Sequence, residues 1–217
     1  MSKAKILTMA LMLTGVLGSV YGGVTPAAAQ HIGLLQSAET MDRGTFKFMV
    51  APIIAFGKNG ADNEFGVAAR GGYAFTERFD AEAKLGFFEN STIIGADGEI
   101  WILGEKGEVG GLDFSLAGGL HYVVAKKGYF DIVGIEVTPM LSFPLNESLE
   151  LCGALDASFE FIQDAPTGLD DTFTRLYLVP GLEYHLSEII DLVGEIGIGL
   201  NDDTFTYAGA GIEFYFR

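Results

Sequence analysis

Hydrophobic and polar residues alternate along most of the chain. Over 190–200 one face carries Ile190, Leu192, Gly194, Ile196, Ile198 and Leu200; the other carries Asp191, Val193, Glu195, Gly197 and Gly199. Successive side chains of a strand point to opposite faces, so a two-residue period marks a strand with one apolar face. The same period predicts ten strands: 45–56, 64–75, 79–88, 99–103 (with a start nearer Thr92 as its alternative), 112–123, 129–143, 149–161, 172–186, 190–200 and 204–216. Gly, Asn and Asp clusters such as 57–62 and the longer stretch 163–171 punctuate them. Links two–three, six–seven and eight–nine read as tight turns, and the odd-numbered links as looser and rich in Asp, Asn and Gly. This is meander spacing, with no room for crossover helices.

The apolar face is large on nearly every strand, with Phe46, Phe48, Phe65, Phe75, Leu85, Phe87, Leu116, Leu120 and Phe159 among its members. A lipid-facing wall around a wet interior produces this pattern. The expected fold is all-β: a transmembrane antiparallel up-and-down barrel of ten strands, eight being the alternative count. An even number suits a closed bacterial barrel, and closure removes the edge strands that lipid would not tolerate. The competing arrangement is a soluble barrel with the faces inverted, binding a small apolar ligand. The bulk of the Phe and Leu face argues against it, because these side chains would fill a small barrel.

The chain stops on Phe214-Tyr215-Phe216-Arg217. A last strand rich in aromatics resembles the closing strand of bacterial outer-membrane β-barrels, of the small porin-like or OmpA/OmpX type. The resemblance covers most of the chain and lies in pattern, not in a catalytic motif. It implies an outer-membrane location, contact with membrane lipid and lipopolysaccharide, and small solutes or cations as candidate cargo. It also implies periplasmic tight turns and outer loose links.

Residues 1–29 read as a cleaved secretory signal peptide. Lys3 and Lys5 precede an apolar run from Ile6 to Val20, and Ala27-Ala28-Ala29 forms the small-residue cleavage site. The run is short for the ~20 residues of a helical span. Residues 30–44 show no period and are expected to form a periplasmic lead-in or a short plug, with the barrel over 45–217. Removing residues 1–29 deletes two lysines and no acid, which moves the formal charge from −16 to −18. Such a balance excludes a nucleic-acid partner, which needs a basic surface. It coexists with 49% hydrophobic residues.

Pro52, Pro139 and Pro180 fall inside predicted strands, where proline removes a ladder donor. Pro52 is expected to mark a bulge or a later start of strand one. Trp101 and the Phe and Tyr near strand ends suit an aromatic girdle.

The inward face gathers the charge. Its candidate network is Lys47, Glu64, Arg70, Asp80, Glu82, Lys84, Asp113, Glu136, Glu150, Asp156, Glu160, Arg175, Glu183, His185, Asp191, Glu195 and Glu213, joined by Glu99 and Arg217. Buried charge is costly unless paired or wet. Two interiors satisfy that: a largely plugged lumen held by ion pairs, as in a structural barrel, or a narrow cation-preferring pore. Ten strands lie just above the eight whose side chains fill a barrel.

Enzyme chemistry finds no constellation. His121 and His185 face inward, His31 lies in the lead-in, and Ser115 stands six residues from His121 on the same strand. The glycines of 194–199 lack the following helix of a dinucleotide loop. Cys152 is the single cysteine and forms no internal disulfide. Asp170-Asp171 and 201–203 read as solvated turns before they read as Ca²⁺ or Mg²⁺ ligands. No cofactor and no catalytic residue is expected.

Overall fold

The computed structural model describes Gly33 and residues 35–57, 62–126, 130–164 and 171–217. The expected signal peptide, His31 and Asp170 lie outside the described residues. Ten strands follow in order: β1 (Phe46–Phe56), β2 (Glu64–Thr76), β3 (Phe79–Phe88), β4 (Ser91–Leu103), β5 (Asp113–Ala125), β6 (Ile132–Asn146), β7 (Leu149–Ile162), β8 (Thr172–Ser187), β9 (Ile190–Gly199) and β10 (Thr206–Phe216). Each pairs antiparallel with its sequence neighbours, and β1 pairs with β10, from Phe46 opposite Phe216 to Phe56 opposite Thr206. The sheet is a closed ten-stranded barrel, so the eight-strand count is overturned.

The faces decide the medium. Phe46, Phe65, Phe87, Leu120, Ile135 and Phe159 are exposed, whereas Arg70, Lys84, Glu160 and Arg175 are buried. Apolar residues cover the outside of every strand, far beyond the scattered patches of a soluble monomer. The soluble barrel with an apolar interior is therefore excluded: its faces are the reverse of those observed. The wall crosses a membrane on strands, with every backbone ladder closed on itself.

Several boundaries move. β4 begins at Ser91, beside the alternative start at Thr92 and not at Glu99, and β6 runs on to Asn146 through the expected turn at Pro144. Tyr129, expected to begin the sixth strand, lies outside the described residues. The β3–β4 link is only Glu89-Asn90, although odd-numbered links were expected to be looser, and the β4–β5 link spans residues 104–112. We call the end bearing β2–β3, β4–β5, β6–β7 and β8–β9 the turn side, and the opposite end the loop side. Register shifts occur at Ala74/Thr76, Trp101/Leu103, Pro144/Asn146 and His185/Ser187, all at the turn side.

Pro52 marks no bulge, and β1 runs straight through it. Pairing with β2 is unbroken at Pro52–Val67, while pairing with β10 skips from Val50 to Ile53 and resumes in the same register. Pro139 and Pro180 behave alike. Pro139 pairs with Leu116 on β5 but leaves a gap toward β7; Pro180 pairs with Gly153 on β7 but leaves a gap toward β9. Each proline lacks one donor, so it interrupts one flank and leaves the other intact.

Candidate functional site: the lumen

The middle of the lumen holds a chain of ion pairs from nine consecutive strands, β10 and β1 to β8. Lys47 Nζ lies 2.5 Å from Glu82 and 3.4 Å from Glu213. Arg70 Nε donates to Glu82 at 2.7 Å, and its Nη2 reaches Asp97 at 3.4 Å. Lys84 joins Asp97 at 2.8 Å and also pairs with Glu136. His121 Nδ1 stands 2.6 Å from Glu136 and its Nε2 3.2 Å from Glu160, so both ring nitrogens face carboxylate oxygens. Arg175 Nε closes the run 4.0 Å from Glu160. Gly134 is the register partner of His121, and a Cβ there would overlap the imidazole, so glycine makes the room the ring occupies.

The remaining candidates hold separate positions. Glu64 accepts from the Asn90 backbone N–H at 2.8 Å near the loop side. Asp156 accepts from Thr138 Oγ1 at 2.6 Å. Asp113 accepts from Trp101 Nε1 at 3.1 Å, which places Trp101 inside the lumen and not in an outer girdle. Trp101 is 3% exposed, and the Arg78 guanidinium lies 4.8 Å from its ring centroid. Glu150 and Glu183 are register partners across β7 and β8. Arg217, expected inside, lies at the turn-side mouth with its side chain 74% exposed and pairs with Asp42.

Two groups escape the sequence pattern. Asp97 bridges Arg70 and Lys84, but it sits in the part of β4 that the alternation missed. The second is the lead-in, which lies within the lumen. Leu35 N–H donates to Glu195 Oε2 at 2.7 Å, and Tyr207 donates to the other oxygen of the same carboxylate at 2.8 Å. Gln36 accepts from Arg70 Nη2 at 2.6 Å and donates to Glu99 at 3.1 Å. Ala38 N–H reaches Ser142 Oγ at 3.3 Å, and Met41 N–H reaches Asp80 at 3.3 Å. Gly33 has φ +82°, and a Cβ there would overlap Glu195, so only glycine fits this approach. The long β4–β5 link holds the segment from the turn side: Lys106 donates to Thr40 O at 3.1 Å and pairs with Asp42 at 2.8 Å. Burial pushes the Glu39 carboxyl above its usual range, against the smaller opposing pull of the Gly107 N–H and Lys106.

Below the lead-in, a vestibule of about 530 Å³ opens at the turn side. Its lining holds eight carboxylates against Lys47, Lys106 and Arg217. At the other end, Phe88, Ile93, Val123, Ile132 and Phe205 join Tyr177 and Tyr207 in a buried apolar cluster.

No protein-family model matches the chain, and no curated protein matches it in sequence. Solved structures do match in shape. An outer-membrane channel from Pseudomonas putida F1 superposes with a TM-score of 0.58 at 10% identity, covering 82% of this chain and 98% of that one. A bacterial polysaccharide outer-membrane secretin gives 0.47 at 10% identity over 79% and 98% of the two chains. The N-terminal β-barrel domain of Pseudomonas aeruginosa OprF gives 0.39 at 14% identity over 81% and 100%. The first of these carries the comparison, and it concerns fold: the chain has the fold of bacterial outer-membrane β-barrels.

Proposed function

We propose that the protein is a non-enzymatic outer-membrane barrel, structural or porin-like, whose acidic lumen is plugged by its own lead-in, described at Gly33 and residues 35–44. In this reading residues 1–29 are a cleaved signal peptide, and the barrel contacts outer-membrane lipid and lipopolysaccharide. The turn side faces the periplasm. The observation that carries the reading is the lead-in's set of hydrogen bonds to Glu195, Arg70, Glu99, Ser142 and Asp80, on five different strands. Against enzymatic work, both nitrogens of His121 are engaged by carboxylates. A charge network of this kind stiffens a wall, and the hydroxyls of Thr138 and Ser158 are spent as donors to its carboxylates.

The second reading is a narrow cation-preferring pore. It is favoured by the acidic vestibule, whose excess of carboxylates would concentrate cations at the mouth. Planar-bilayer recording of the chain carrying residues 30–217 separates the two. The plugged reading predicts insertion without steady current at neutral pH. Discrete cation-selective steps that weaken on acidification would replace it with the pore.

A further inference from the structure

We propose that Glu183, His185 and Asp191 form a binding site for a divalent transition-metal ion, of the Zn²⁺ class, on the vestibule wall. Strand geometry builds the set. Glu183 and His185 stand two residues apart on β8, so both face the lumen. Asp191 is the register partner of His185 across the β8–β9 hairpin, whose link is only Glu188-Ile189. One tight hairpin therefore carries all three donors on paired backbone.

The spacing suits a metal. His185 Nδ1 lies 3.1 Å from Asp191 Oδ1 and 3.6 Å from Glu183 Oε1, and the three donor atoms all fall within 4.8 Å of one another. Bonds of about 2.0–2.2 Å to nitrogen and oxygen set neighbouring donors of a tetrahedral site roughly 3.3–3.6 Å apart.

A separate observation asks for a cation. Glu183 is 5% exposed, yet among the described residues it accepts no hydrogen bond, and its one ionic partner is the His185 ring at 3.6 Å. That ring is already closer to Asp191. The residue opposite Glu183 on β7 is another acid, Glu150, whose Oε1 is itself buried without a hydrogen-bond partner. A carboxylate largely withdrawn from water gains from positive charge close by. Lys47 stands farther off on the vestibule lining, and one imidazole faces both acids, so a bound M²⁺ ion would add charge at the point where the two carboxylates meet.

Access and selectivity follow from the surroundings. The His185 side chain is 38% exposed and faces the acidic vestibule, which draws cations and leaves a coordination position open to water. One imidazole and two carboxylates form a mixed nitrogen–oxygen set. Zn²⁺ and its first-row neighbours accept it, whereas Ca²⁺ and Mg²⁺ prefer six or more oxygen ligands.

The test is Zn²⁺ titration of the folded, metal-stripped chain of residues 30–217 in detergent, with folding checked by heat-dependent gel migration. The expected result is saturable one-to-one binding that millimolar Mg²⁺ does not displace. His185→Gln and Asp191→Asn should each weaken it at least tenfold, while Asp203→Asn, on the loop side, should leave it unchanged. Zn²⁺ should also shift the imidazole nuclear magnetic resonance signals of His185 in the unsubstituted protein, a readout that needs no variant to fold. An unmoved His185 signal, a lack of saturable binding, or binding that survives both substitutions overturns the site.

Discussion

At the loop-side end of the lumen, Phe88, Ile93, Val123, Ile132 and Phe205 bury one another, whereas the turn-side end is walled by acids and occupied by the lead-in. The two ends close by different physics. Apolar side chains satisfy themselves by contact, and any of several packings serves nearly as well. Buried acids must each find a donor or a cation, so the turn side depends on particular distances. Where donors run short, as at Glu99 and Glu150, a carboxylate oxygen stays buried without a hydrogen bond. Between the ends, the Lys47-to-Arg175 run of ion pairs ties the wall together.

The largest expected effect comes from cutting that middle run. Arg70→Met leaves Glu82 with one cation and removes the donor to Gln36. It should destabilise the barrel by about 3–5 kcal/mol, the usual result of leaving a buried charge uncompensated. Urea unfolding in lipid vesicles measures this, and a loss under about 1 kcal/mol would mean that water already screens the pair. At the apolar end, Ile93→Ala should cost about 2 kcal/mol by the same assay, the low part of the range for a buried aliphatic truncation. It should leave the position of the lead-in unchanged, which separates the two ends.

The smallest expected effect is a pH dependence of the lead-in. Burial raises the Glu39 carboxyl above its ordinary 4.5, so the docked segment binds more protons than the released one. Docking is then strongest at low pH and weakens as pH rises from 4.5 through the raised value. Limited proteolysis of the lead-in across this window should show it, and Glu39→Gln should flatten the profile. A profile that runs the other way assigns the dependence to another group.

The sequence made the walls legible because the strand period is fixed at two, so face assignments survive errors in strand ends. Lys47, Arg70, Glu160 and Glu213 were placed inward on that basis, and they are buried. The alternation marks only 99–103 of β4 clearly, with the start nearer Thr92 as its alternative, and the reason is physical. Ile93 faces inward into the loop-side apolar cluster beside the outward Ile94, so the alternation disappears just where the lumen stops being polar. Asp97 was lost with it. For the lead-in the sequence leaves a choice between a periplasmic segment and a short plug, since it has no period and its partners are scattered over distant strands. Trp101 carried no local sign of its direction; its inward turn depends on Asp113, across the β4–β5 link.

Cys152 allows the most direct test of the proposed plug. It faces the lumen and lines a small void with Leu35, Gln36 and Glu195, so the lead-in stands beside it. The rate at which a membrane-impermeant thiol reagent labels Cys152 should be measured in the chain of residues 30–217 and in one lacking residues 33–42. The account predicts slow labelling of the first chain, at least tenfold faster labelling of the second, and the acceleration only when reagent is added on the turn side. Equal rates in the two chains, or acceleration from the loop side, would contradict it.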